Sequence, residues 1–210
     1  MRHLFVAASI SLCLVISAAA ATGCPGKVLF EDKFARLNPA WGFASDASYT
    51  FSVKDGTLLE KLVAGKAMRS LYGGDVYDDV DICVTIGSLA SDKPGNQLAG
   101  IVFWAKDYNS YYLFVIDTTG QYKVLRYAGG RYLFPIPFQA NAAIKKGTGQ
   151  TNSLHVATKG TQATFYVNDQ QVGTASGQPA DGGSQVGIYA ESDANAPTSW
   201  MYSGFIISKP

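Results

Sequence analysis

Histidine is nearly missing from this chain of 210 residues: there are two, and one of them, His3, sits beside an apolar N-terminal run. If that run is removed, His155 stands alone, which excludes a metal centre built from several histidines. A Ser-His-Asp arrangement would have to use His155, yet no nucleophile-elbow pattern surrounds any serine. Charge is also sparse, at 16% of residues, and neither sign clusters strongly. A nucleic-acid partner needs a basic stripe, so none is expected. No basic amphipathic helix suggests docking on a membrane surface. Internal repeats and low-complexity tracts are missing too.

What is present begins with a leader. Arg2 and His3 precede the apolar run Leu4 to Ile16, and the small residues Ser17 to Ala21 follow. A basic start, an apolar run and small residues in that order predict a cleaved secretory signal over 1–21. The run is short for a bilayer span, so no integral membrane segment is expected after cleavage; an uncleaved N-terminal anchor is the competing reading. Residues 22–210 then form one domain, with ample length for a single core. Removing Arg2 leaves equal numbers of basic and acidic residues.

Cysteine supports export. Cys13 leaves with the leader, and the remaining pair, Cys24 and Cys83, reads as a disulfide in an oxidising compartment. Two alternatives stay open: free thiols, or a lipid anchor on Cys24, since Ala21-Thr22-Gly23-Cys24 faintly resembles a lipobox. The expected location is periplasmic or secreted.

After the leader, helical periodicity gives way to short alternating or apolar runs separated by turn residues. Val80, Ile82, Val84 and Ile86 alternate with Asp79, Asp81, Cys83 and Thr85, which predicts a half-buried strand. Tyr49 to Val53 and Thr57 to Leu62 flank Asp55-Gly56, a hairpin signal. Leu98 to Ala105, Tyr111 to Ile116 and Tyr122 to Tyr127 read as an antiparallel meander. Leu154 to Ala157, Ala163 to Val167 and Gln171 to Thr174 form a second hairpin series, with Val186 to Ala190 and Trp200 to Ile207 closing the chain. Gln139 to Gly149 is expected as a connection, with Ala140 to Ile144 suited to one helical turn. About a dozen strands without alternating helices indicate an all-β sandwich or barrel.

Several segments carry a resemblance: Phe30-Glu31-Asp32-Lys33-Phe34 with Trp41, then Val53 to Leu58, then Ala99 to Phe114. Asn152 to Val156, Phe165 to Asp169 and Val186 to Ala190 continue the order. Together they resemble the concanavalin-like/laminin-G-like superfamily, nearest to the bacterial exported 3-keto-disaccharide hydrolase domain group. The resemblance implies a jelly-roll sandwich of two antiparallel sheets whose curved face often binds carbohydrate. It covers most of the chain from Phe30 onward and is more specific for fold than for activity.

Enzymes of this fold often carry catalytic acids along one strand as Glu-x-Asp-x-(x)-Glu, and that pattern is missing here. The glutamates are Glu31, Glu60 and Glu191, each on its own segment. A pair assembled across strands from Asp79, Asp81 and Glu60 is the remaining hydrolytic arrangement. The acidic run Asp75 to Asp81 lacks the glycine spacing of a calcium loop, and no metal or cofactor is called for.

Aromatic side chains are the better lead, since sugar C–H faces stack on flat rings beside polar groups. The candidate ligand-binding residues are Trp104, Arg126, Tyr132, Trp41, Arg69 and Gln97, gathered on one rim. Trp104 fits a core role equally well, and Tyr111, Tyr122 and Trp200 are expected in the core. His155 is expected as an exposed strand residue facing away from Leu154 and Val156. The primary expectation is an exported carbohydrate-binding module, non-catalytic, with a saccharide or other small polar ligand. A hydrolase or lyase acting on a 3-keto-disaccharide-like substrate is one alternative. A structural envelope protein without a small ligand is the other.

Overall fold

A computed structural model describes residues 24–90 and 97–210, so the leader at 1–21 lies outside the described residues. The described chain is a sandwich of two antiparallel sheets. The first sheet holds β1 (Lys27–Asp32), β2 (Tyr49–Lys54), β3 (Thr57–Leu62), β5 (Asp81–Ala90), β10 (Thr151–Lys159), β11 (Gln162–Val167), β12 (Gln170–Ser176) and β14 (Thr198–Lys209). Its order is β12-β11-β10-β5-β14-β3-β2, with β1 pairing β14 beside that path. The second sheet holds β4 (Ala67–Leu71), β6 (Leu98–Asp107), β7 (Ser110–Asp117), β8 (Gln121–Ala128), β9 (Arg131–Ala140) and β13 (Gln185–Glu191), ordered β4-β13-β6-β7-β8-β9.

Alternation along the strands sorts the side chains. On β5, Ile82, Val84 and Ile86 enter the space between the sheets, where Leu154, Phe165, Trp200 and Phe205 meet Ile101, Phe114 and Ile188. The hairpin between β2 and β3 turns at Asp55 and Gly56, both at positive φ (50° and 73°), as its sequence predicts. β6, β7 and β8 pair as the antiparallel meander that the sequence predicts.

Two expectations need correction. The connection expected over Gln139 to Gly149 starts two residues later, because Arg131–Ala140, to which the sequence reading assigns no element, is a strand, and residues 141–144 form a turn rather than a helical one, with the Asn141 side chain accepting from the Ala143 amide at 2.9 Å. Both prolines of β9 explain the first miss. Val124 pairs with Ile136, Arg126 with Leu133 and Tyr122 with Gln139, so β9 carries an extra residue on each side of Ile136. Pro135 and Pro137 fall in those two bulged intervals, where a missing N–H is tolerated.

Cys24 and Cys83 form a disulfide, with their Cα atoms 5.6 Å apart. Cys83 shares the outer face of β5 with Asp81, so the bond ties the start of the chain across the outside of the first sheet rather than through the core. Disulfides persist in oxidising compartments, which points to the periplasm or the exterior. No helix among the described residues is long and apolar enough to cross a membrane.

Candidate functional site

The outer face of the second sheet is apolar and buried. Val102, Leu113 and Val115 point away from the inter-sheet core yet are at most 1% exposed, and they cluster with Leu98, Leu71, Leu125 and Tyr189, which are 2–7% exposed. The antiparallel register sets Tyr111 opposite Tyr127 and Tyr127 opposite Tyr132, on β7, β8 and β9. Their rings run in a ladder, with centroids 5.4 Å apart for Tyr111 and Tyr127 and 4.8 Å apart for Tyr127 and Tyr132.

Arg69 reaches over this ladder from β4. Its guanidinium carbon lies 5.1 Å from the Tyr111 ring centroid, a cation–π contact. The Arg69 Nε is buried with no hydrogen-bond partner. The intervening β13 and β6 present Gly187 and Gly100, where a Cβ would collide with neighbouring backbone at 2.2 and 1.9 Å. Burial pushes the Tyr111 hydroxyl up to about 12, with Arg69 opposing that shift. At the other end of the face the Tyr189 hydroxyl donates to Glu191 Oε2 at 2.7 Å. Lys123 stands 4.5 Å over the Phe138 ring, and burial lowers its ammonium pKa against the pull of Glu191 and Asp117.

The six sequence-derived candidates do not share one rim. Arg69 and Tyr132 belong to this outer face, and Tyr132 is 55% exposed. Trp104 does not share the face of Val102 as alternation predicts. Its φ of 47° and the register shift after Phe103 place its ring in the inter-sheet cluster, beside Phe103 and Tyr112. Arg126 sits near Trp104, 5.4 Å over the Tyr112 ring, and donates to the Gln178 side chain at 2.8 Å. Trp41 is buried among Phe34, Tyr72 and Phe205, with its indole N–H donating to Asp32 at 2.9 Å. Gln97 is fully buried, donating to Thr118 and accepting from Thr198, each at 3.0 Å. Two residues the sequence reading missed, Tyr111 and Tyr127, carry the ladder; Tyr111 is buried as expected but not between the sheets. The two adjacent register pairs are the signal that was needed, and the second depends on recognising β9.

The carboxylates proposed to assemble across strands do not converge. Glu60 faces the interior at 1% exposure, Asp79 accepts from the Gly160 amide at 2.6 Å, and Asp81 engages His155. His155 is less exposed than expected: its Nε2 lies 2.5 Å from Asp81 Oδ1, and its ring stacks on Tyr166 at 4.7 Å. Among the described residues no three acidic, histidine or cysteine side chains gather as metal ligands.

No protein-family model and no curated protein sequence matches the chain. Solved structures do resemble it. A carbohydrate-binding module, CBM66, from Bacillus subtilis superposes with a TM-score of 0.61 at 14% identity, over 77% of this chain and 92% of that one. A Bacillus licheniformis β-glucanase superposes with a TM-score of 0.62 at 13% identity, over 88% and 99%. A Bacillus subtilis protein of unknown function with a galectin-like fold gives 0.65 at 8%, over 87% and 96%. At these identities the likeness shows the fold, a jelly roll of the concanavalin-like kind.

Proposed function

We propose that this chain is an exported saccharide-binding module that holds its ligand on the outer face of the second sheet and catalyses no reaction. The observation that carries this reading is the ladder Tyr111–Tyr127–Tyr132 capped by Arg69. A sugar ring offers C–H faces to Tyr127 and Tyr132, while its hydroxyls need the donors and acceptors that Arg69, Lys123 and Glu191 supply. Solved neighbours that bind or cleave carbohydrate support the ligand class. Export through the leader at 1–21, with 22–210 as the processed domain, belongs to the same proposal.

The arrangement of acids supports binding over hydrolysis. A glycosidase needs two carboxyls flanking the bond, one kept protonated by its surroundings. On this face Asp117 is engaged by the Thr119 and Gln121 amides and the Thr119 hydroxyl, and Glu191 by Tyr189. The carboxyl whose pKa is raised, Glu60, is sealed between the sheets. The motifs quoted above resemble most the 3-keto-disaccharide hydrolase group, so an oxidised disaccharide belongs in the test as both ligand and substrate.

The test is a glycan-array screen of the processed protein, then calorimetry on each hit with Tyr127→Leu and Tyr132→Ala. Each variant is expected to weaken binding about tenfold while melting within a few degrees of the parent. Unchanged affinity in the double variant overturns the site. Turnover of a 3-keto-disaccharide overturns the non-catalytic reading.

A further inference from the structure

The opposite sheet carries a cleft that the saccharide reading does not use. It has a volume of about 490 Å³ and opens on the outer face of the first sheet, within the range of small-ligand sites. Two features build it. The disulfide draws Cys24 and Pro25 over the face of β5, and the Ser208 hydroxyl donates to the Pro25 carbonyl, which anchors that wall. On β14 the register shifts between Ser203 and Ile206 around Gly204, at φ 61°. Bulges of this kind turn a strand aside next to sites.

The floor is the stacked pair His155 and Tyr166, whose ring planes lie 13° apart. Asp81, 4% exposed, fixes the imidazole through Nε2. This ionisable pair lies outside the inter-sheet core, so it fixes ring orientation at a surface that the core packing does not require. Glu31 and Asp169 add two carboxylates to the lining, and Thr85, Ser153 and Ser203 add hydroxyls. Among the described residues no lysine or arginine lines the cleft; Lys33 pairs with Glu31 at 3.5 Å, but with its side chain 74% exposed, so water screens it. An aromatic floor with carboxylates and hydroxyls matches a ligand that is both polyhydroxylated and positively charged.

We propose that this cleft is a second binding site, selective for an amine-bearing sugar whose protonated amino group lies between Glu31, Asp169 and the Tyr166 ring. The site is independent of the tyrosine ladder on the other sheet. A glucosamine trimer tests it, with the N-acetylglucosamine trimer as the uncharged control, by calorimetry on the disulfide-intact protein near neutral pH. The amine form is expected to bind at least about tenfold more tightly than the acetylated form. Asp169→Asn and Tyr166→Leu, each checked for an unchanged melting transition, are expected to erase about tenfold of affinity, while Tyr127→Leu changes nothing. Equal affinity for the two trimers, no binding of the amine form at about 10 mM, or full affinity in both cleft variants overturns the proposal. Loss of amine-trimer binding in Tyr127→Leu instead assigns the amine to the ladder and also overturns it. Failure of the ladder reading leaves each of these outcomes readable.

Discussion

The Glu60 carboxyl meets the Tyr202 hydroxyl inside the sandwich, and that hydroxyl donates its one proton to the Tyr189 carbonyl at 2.8 Å. Burial raises the Glu60 pKa from 4.5 to about 8, with the Tyr202 contact opposing. The unfolded chain releases this proton near its ordinary pKa, whereas the folded protein keeps it until about pH 8. Between those values the folded state binds more protons, so stability falls as pH rises from 4.5 to about 8 and then levels. Glu60→Gln is expected to flatten that slope and to stabilise the protein at pH 8 by a few kcal/mol, on the order of the raised pKa's free energy. Urea denaturation at several pH values measures it; an unchanged slope in Glu60→Gln assigns the pH dependence elsewhere.

Where apolar and polar residues alternate strictly along a strand, the sequence is easy to read. β5 is the example: Ile82, Val84 and Ile86 point inward, and Cys83 emerges on the outer face where its disulfide with Cys24 forms. Reading fails where the backbone leaves the period of two. A left-handed φ at Trp104 moves its ring to the other side of the sheet, and two bulges with prolines disguise β9. The second sheet adds a different difficulty, because both its faces are apolar: Phe114 and Val115 are adjacent and both fully buried. Alternation cannot say which face is the core there. Glu60 was read as a member of an acidic pair, and only its packing between the sheets reveals the burial that raises its pKa.

Cys24 and Cys83 close a loop with a sequence separation of 59. In the chain-entropy model this constrains the unfolded state by about 4 kcal/mol. Reduction, or Cys24→Ser with Cys83→Ser, is therefore expected to lower unfolding free energy by about 2–4 kcal/mol. The released wall also opens the cleft beside His155, so the reduced protein should lose glucosamine-trimer affinity. Guanidinium denaturation with and without a reducing agent reads the first effect. An unfolding midpoint unmoved by reduction contradicts it.

Trp104 separates backbone strain from ring packing. Its side chain is 4% exposed against Phe103, Tyr112 and the backbone of Gly177, so Trp104→Ala is expected to cost about 3–5 kcal/mol. In an ordinary strand glycine is worse than alanine by roughly 0.5–1 kcal/mol. At φ 47° the order should reverse, because alanine keeps the left-handed penalty that glycine lacks. Trp104→Gly should therefore be at least as stable as Trp104→Ala. Chemical denaturation of the two variants side by side decides it, and a clearly less stable glycine variant shows that the strain is relieved some other way.

β9 is the outermost strand of the second sheet and leaves Tyr132, Leu133, Phe134 and Phe138 between 46% and 55% exposed. An apolar edge of ten residues invites pairing with another copy of itself. Pro135 and Pro137 oppose that in two ways: each removes an N–H donor, and each sits in a bulged interval that breaks the straight edge a partner strand needs. Replacing both with threonine restores two donors and a β-favouring residue at each position without adding apolar surface. The double variant is expected to keep its far-ultraviolet spectrum yet to self-associate at concentrations where the parent stays at its original size. Light scattering across a dilution series measures the shift. If the variant's molecular mass matches the parent's throughout, the prolines are tolerated at the bulges rather than guarding the edge, and the exposed aromatic rings alone must then account for how β9 resists pairing.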